Sequence, residues 1–176
     1  MQKVLSMTDL PEKFSDEKDL EEFMSRPSAT LIDEMAQMEG DLMILGVGGK
    51  MGPTLARLAQ RSLPKSRIIG VARFSNPEVK EKLETWGVET IACDLLEREA
   101  IEKLPQVENI IYMAGRKFGT TGASHLTWAM NAYVPGMVGE IFSKSRIVAF
   151  STGCVYPFVS VLHQGSTEDD DPFPPS

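Results

Sequence analysis

The chain has little of what would make it a disulfide scaffold, a metalloprotein or a membrane protein. Its 176 residues include two cysteines, Cys93 and Cys154, and two histidines, His125 and His163. That is too few for a disulfide framework, and no metal-ligand spacing exists. A buried, reduced thiol is the expectation for each cysteine. Aromatic residues are sparse at 7%. No apolar run approaches the roughly 20 residues that span a bilayer, and the N-terminal Met1-Gln2-Lys3-Val4-Leu5-Ser6 lacks the apolar stretch of a signal peptide. The expectation is a cytoplasmic protein with no membrane partner. What is present, 42% hydrophobic residues in a chain of this length, is enough for one domain with a real core and no need of staples.

Charge is distributed unevenly. Residues 1–41 carry eleven acids and four bases, residues 165–176 carry four acids and no base, and the body between them carries ten acids and fourteen bases. The acidic total of −7 argues against nonspecific nucleic-acid binding, while the mildly basic body suits a small anionic ligand such as a phosphate.

Three stretches differ in character. Residues 1–40 read as a helical extension: Pro11-Glu12 opens an acidic amphipathic segment with Phe14, Leu20, Phe23 and Met24 apolar, and Ser28 caps a second short helix carrying Leu31, Ile32, Met35 and Met38. Its apolar stripe is expected to pack on the domain or on a partner subunit. Residues 41–164 repeat a short apolar run, a turn and an amphipathic helix. Strands are expected at 42–45, 67–72, 88–92, 107–113 and 146–150, with helices near 50–62, 77–86, 97–104 and 123–143. Asn76-Pro77 marks the start of the second of these helices and Gly87 its stop. Such alternation predicts a parallel, doubly wound sheet of about five strands in the order 3-2-1-4-5, because parallel strands need crossovers that cover both faces. Residues 165–176, acidic and then rich in proline, have loop composition, and the sequence reads as one that continues beyond Ser176.

The most informative stretch is Leu42-Met43-Ile44-Leu45-Gly46-Val47-Gly48-Gly49-Lys50-Met51-Gly52, followed by a helical segment. Glycines at 46, 49 and 52 between a strand and a helix let backbone N–H groups approach a pyrophosphate at the positive end of the helix. The residues Gly46, Gly48, Gly49, Lys50, Met51 and Gly52 are therefore the candidate cradle of a dinucleotide in a Rossmann-type sheet. The second strand ends Val71-Ala72-Arg73-Phe74. An NAD-selective site places a carboxylate there for the ribose 2′-hydroxyl, whereas a 2′-phosphate needs that acid absent and an arginine nearby, so Ala72-Arg73 favours NADP over NAD.

At this point the sequence resembles the extended short-chain dehydrogenase/reductase family, which includes the NAD-dependent nucleotide-sugar epimerases and dehydratases. Gly46-x-x-Gly49-x-Met51-Gly52 is similar to the family's first motif, and four others follow in its order. Cys93-Asp94-Leu95 resembles the motif in which the aspartate binds the adenine amino group and the next residue contacts the ring. Ile110-Ile111-Tyr112-Met113-Ala114-Gly115 resembles the one whose small residues line the pyrophosphate, with Tyr112 in place of a common histidine. Lys117 falls where sugar epimerases often carry a lysine near the nicotinamide ribose. Asn131 resembles a motif asparagine, with Ala132 and Pro135 departing from the pattern. Phe150-Ser151-Thr152-Gly153-Cys154-Val155-Tyr156 resembles the motif after the fifth strand, which implies that Ser151 lies by the cofactor and that Thr152 is the catalytic hydroxyl.

The resemblance covers residues 42 to 176. It implies reversible oxidation of a secondary alcohol by hydride transfer, on a sugar, nucleotide sugar or polyol, in an enzyme that can pair as a homodimer. Epimerisation or reduction is favoured over dehydration, because Gly153-Cys154 stand where the dehydratase variant carries Asp-Glu. The family's Tyr-x-x-x-Lys pair does not occur in these residues. A rival reading is a non-catalytic NAD(P)-binding sensor or scaffold.

Overall fold

The computed structural model describes residues 4–6, 8, 10–117, 121–162 and 164–174, so His163 lies outside the described residues. Strands β1 (Leu42–Leu45), β2 (Ile68–Ala72), β3 (Glu89–Ala92), β4 (Asn109–Tyr112) and β5 (Arg146–Ala149) form one sheet in the order β3-β2-β1-β4-β5. Every pairing is parallel. All five carboxyl ends therefore lie along one edge, the place where open sheets of this class bind ligands. The helices are α1 (Glu17–Met24), α2 (Ala29–Met35), α3 (Gly52–Ser62), α4 (Pro77–Thr85), α5 (Arg98–Glu102), α6 (Ser124–Trp128) and α7 (Val134–Ile141), with a π-helical turn at Ala129–Tyr133 and a 3-10 turn at Gly153–Val155.

The central strand explains the layering. All four residues of β1 are buried, and the strand's alternation sends Met43 and Leu45 into a cluster with Ile69, Val71, Val138 and Phe142, and Leu42 and Ile44 into a second cluster with Ala56, Ala59 and Leu83. Helices therefore cover both faces. The two edge strands are less buried than the apolar-run reading expects: β3 and β5 contain no fully buried residue, since each has a strand neighbour on one side only.

Local signals set the boundaries. Asn76 Oδ1 accepts the Glu78 N–H at 3.0 Å, Pro77 opens α4, and Gly87, at φ +80°, follows its end. The single helix expected over 123–143 is instead three pieces, α6, the π-helical turn and α7. Pro135 has no N–H to give the Asn131 carbonyl, and its ring crowds that carbonyl, so the chain widens ahead of it. Cys93 is buried as expected, but Cys154 is exposed, because the segment after β5 runs over the surface.

The N-terminal helices dock on α3 in a way the apolar stripe does not anticipate. Asp16 and Ser28 cap α1 and α2, yet neither helix has a buried residue, and Leu20 and Met24 of α1 are 37% and 55% exposed. Met35 and Met38 do pack on the cluster beneath α3 and α4. Ion pairs and a charged hydrogen bond add to it: the Glu22 carboxylate meets Arg57 at 2.7 Å and Arg61 at 2.6 Å, Glu21 pairs with Lys82, and Arg61 also donates to the Ser25 carbonyl at 3.1 Å. Burial alone raises the Glu22 pKa, but the hydrogen bond from Arg61 and the charges of Arg61, Arg57 and Arg26 outweigh it and hold the carboxyl below its ordinary range.

Candidate functional site

A cleft of about 470 Å³ opens along the carboxyl edge of the sheet, lined by the turns that follow β1, β2, β3 and β4. The glycines around β1 divide by what a side chain would meet. At Gly46, with φ +93°, a Cβ would lie 2.7 Å from the Ala114 nitrogen, so this residue makes the turn and lets the β4 loop close over it. At Gly52 a Cβ would lie 2.0 Å from the Val47 carbonyl oxygen, so this one brings α3 onto the strand. At Gly49 a Cβ would meet nothing nearer than the Gly46 oxygen at 3.6 Å, an ordinary contact. The fold has no internal need of a glycine there, and Gly49 lines the cleft. Its missing side chain leaves room for a ligand to reach the backbone. Behind it, α3 begins without a side-chain cap and without an acid in its first turn, which leaves its positive end open to an anion.

The β2 end contributes Ala72 and Arg73 to the cleft, with no carboxylate on the strand end itself. The Arg73 side chain is 69% exposed, and its Nη1 lies 4.0 Å from Asp94 Oδ2. Asp94 uses its other oxygen to accept the Leu96 N–H at 3.0 Å, and Leu95 is buried beside it in the wall. Cys93 also faces the cleft, and burial, with the neighbouring Asp94 charge, pushes its thiol pKa up.

At the β4 end, Ala114 and Gly115 line the cleft, and the loop that carries them is fastened to the π-helical turn. Asn131 Oδ1 accepts the Arg116 N–H at 2.7 Å, and its Nδ2 donates to the Arg116 carbonyl at 2.9 Å. Tyr112, the residue in the histidine position, is buried and donates its hydroxyl to the Met130 carbonyl at 3.1 Å. Burial pushes its pKa up to about 12, so it is a neutral donor rather than a proton shuttle.

Gly46, Gly48, Gly49, Arg73, Asp94, Leu95, Ala114 and Gly115 thus share one cleft. Lys50, Met51, Gly52, Lys117, Asn131, Ser151 and Thr152 do not line it. Lys50 and Met51 are exposed on the loop, and Gly52 is buried under it. Asn131 stands behind the wall, hydrogen-bonded to the Arg116 backbone and close to Gly115. Ser151 and Thr152 are exposed beyond β5, at the same edge of the sheet, and the Thr152 hydroxyl accepts the Cys154 N–H at 3.2 Å. Sequence reasoning missed Phe74, Arg116 and Met130, all of which line the cleft. Pro135 inside a helical run was the signal for the widened turn that presents Met130. Among the described residues no acid, histidine and cysteine cluster could hold a metal, and no helix is long and apolar enough to cross a membrane.

The sequence profile of the NAD dependent epimerase/dehydratase family matches residues 42–176. The chain belongs to this family. With membership comes the cofactor class in the family's name, a nicotinamide adenine dinucleotide, and the cleft has features that suit such a ligand: a glycine whose missing side chain the fold does not require, beside an uncapped helix start. Among solved structures the fold resembles the ADP-L-glycero-D-manno-heptose-6-epimerase of Helicobacter pylori at a TM-score of 0.68 and 21% identity, over 83% of this chain and 48% of that one. It also resembles the Bordetella bronchiseptica enzyme WbmG in complex with NAD and UDP, at a TM-score of 0.60 and 17% identity, over 78% of this chain and 44% of that one. The chain therefore spans less than half the length of either. No curated protein sequence matches it.

Proposed function

We propose that residues 42–176 are the cofactor-holding part of an enzyme that interconverts a secondary alcohol and its ketone on a sugar, nucleotide sugar or polyol, with NADP(H) preferred over NAD(H). Gly49 carries the reading, since it is a glycine on the cleft wall for which the fold has no steric requirement. Its backbone and the first turn of α3 hold the pyrophosphate. Arg73 meets a ribose 2′-phosphate, Asp94 and Leu95 hold the adenine, and Ala114 and Gly115 give the close approach on the other side. Lys50 and Met51 flank the phosphates, while Lys117 and Ser151 stand toward the nicotinamide ribose. When bound, the nicotinamide ring takes up or returns a hydride. Thr152, beyond the carboxyl end of β5, orders the reacting oxygen; its oxygen accepts the Cys154 N–H, which leaves its O–H to donate to that oxygen.

The substrate class is supported by the relatives, one named as an epimerase of a nucleotide-linked heptose and one solved with NAD and UDP together. A cytoplasmic location and a homodimer are part of the same reading. Titrating the labelled chain with NADP+ while following backbone amide resonances tests it. Shifts at residues 46–54, 72–76, 94–96, 114–117 and 151–152 are expected; shifts elsewhere, with these unmoved, would refute the placement.

A further inference from the structure

Between the last residue of β2 and the cap of α4 the chain has only Arg73, Phe74 and Ser75 in which to turn. Both ends of this link are pinned: the Ala72 carbonyl accepts the Cys93 N–H at 2.9 Å, and Asn76 caps α4. The turn is made at Phe74, whose φ of +49° is the one left-handed backbone among the described non-glycine residues. A bulky side chain takes this conformation only where its surroundings over-determine it, because its Cβ crowds the following carbonyl. Here the surroundings are visible. The Phe74 ring packs against the apolar cluster beneath α3 and α4, while Arg73 and Ser75 on either side line the cleft.

We propose that Phe74 is a positioning residue for dinucleotide selectivity. Its left-handed backbone, held by the packed ring, turns Arg73 into the cleft beside Asp94, where the guanidinium discriminates a ribose 2′-phosphate from a 2′-hydroxyl. An extended or right-handed residue at 74 carries the Arg73 side chain away from that position; because Phe74 itself also lines the cleft, the effect is read as the ratio of the two dinucleotides rather than as the affinity for either alone. The proposal rests on the cleft being the dinucleotide site with its adenosine end at β2.

The test separates backbone from burial. Phe74→Gly and Phe74→Asn accept positive φ but lose the packed ring, whereas Phe74→Leu keeps an apolar side chain and resists positive φ. Dissociation constants for NADP+ and NAD+ are measured by calorimetry on each variant and on the unaltered chain, together with melting temperatures. Melting temperature is expected to follow burial, with the leucine variant nearest the unaltered chain. Selectivity is expected to follow the backbone. Glycine and asparagine keep the NADP+ preference, and leucine lowers the ratio of NADP+ to NAD+ affinity by about tenfold, the worth of one charge-assisted hydrogen bond, over and above any change common to both dinucleotides. A preference that follows burial instead, or is the same in all four proteins, overturns the proposal. So does an unaltered chain that binds both dinucleotides equally, which leaves the cleft reading standing. Binding of neither dinucleotide refutes the cleft reading itself.

Discussion

The Asn131 side chain pairs with the Arg116 backbone as a neighbouring strand would, accepting its N–H and donating to its carbonyl. It does so just past the end of β4, where Arg116 has left the sheet, and it ties the cleft-lining loop 114–116 to the π-helical turn. Asn131→Ala removes both bonds, an expected loss of about 1–3 kcal/mol at roughly 0.5–1.5 kcal/mol for each. Dinucleotide affinity should fall with it, because the loop is no longer held in the bound arrangement. Asn131→Asp keeps the acceptor for the Arg116 N–H but sets a carboxylate oxygen against the Arg116 carbonyl, so it should lose stability and affinity as well. Thermal melts and calorimetric titration of the two variants check this; equal affinity in all three proteins would show that the clasp serves stability alone.

Arg73→Asp should reverse cofactor preference. The substitution removes the partner of a 2′-phosphate and supplies a carboxylate for a 2′-hydroxyl. An arginine–phosphate contact is worth about 1.5–3 kcal/mol, so NADP+ affinity should drop by about tenfold or more while NAD+ affinity holds or rises. Competition titrations with both dinucleotides read the ratio directly.

The N-terminal helices should loosen with acid and with salt. Glu22 holds Arg57 and Arg61, and its pKa lies below the unfolded value, so its contribution is fully present above the ordinary carboxylate pKa and is lost as pH falls through the lowered native value. Salt screens the partly exposed pairs at any pH. Glu22→Gln should weaken docking by roughly 1.5–3 kcal/mol, the worth of hydrogen bonds to charged groups, with little effect on the sheet. Hydrogen exchange across residues 16–36 against 42–45 distinguishes this from global destabilisation: only the first set should exchange faster.

The 176-residue chain should show dinucleotide binding without turnover. Tyr112, Tyr133 and Tyr156 are followed four residues later by Arg116, Met137 and Ser160 rather than lysine, and the Tyr112 hydroxyl is committed to Met130. Thr152 can order an oxygen but cannot carry its proton away, and general acid–base assistance is worth about 10²–10⁴-fold. Nicotinamide absorbance should stay flat with sugar and polyol substrates. Sustained cofactor reduction would identify a base that these residues do supply.

Where a local pattern and the tertiary demand coincide, the architecture is readable from residues alone. The all-apolar β1, the Asn76-Pro77 start and the Gly46/Gly49/Gly52 spacing each encode a local geometry, and together they set a parallel sheet with its strand order and its ligand edge. Glu22 with Arg57 and Arg61 was hidden because the pair spans nearly forty residues and joins an acidic segment to a basic one with no periodic signal. Phe74 was hidden for a different reason. Nothing in an aromatic residue announces positive φ; the conformation comes from the two pinned ends of its link and from packing. The π-helical turn lay between. The pattern over 123–143 reads as one helix; Pro135 cannot continue its hydrogen-bond ladder, but which side chains a break there presents to the cleft depends on where β4 ends.

Calorimetric titration of the folded chain with NADP(H) and NAD(H) decides whether the cleft is a dinucleotide site. The account predicts saturable binding of both, tighter for NADP(H). No binding of either at millimolar concentration, by protein whose circular dichroism and melting confirm the fold, would contradict it.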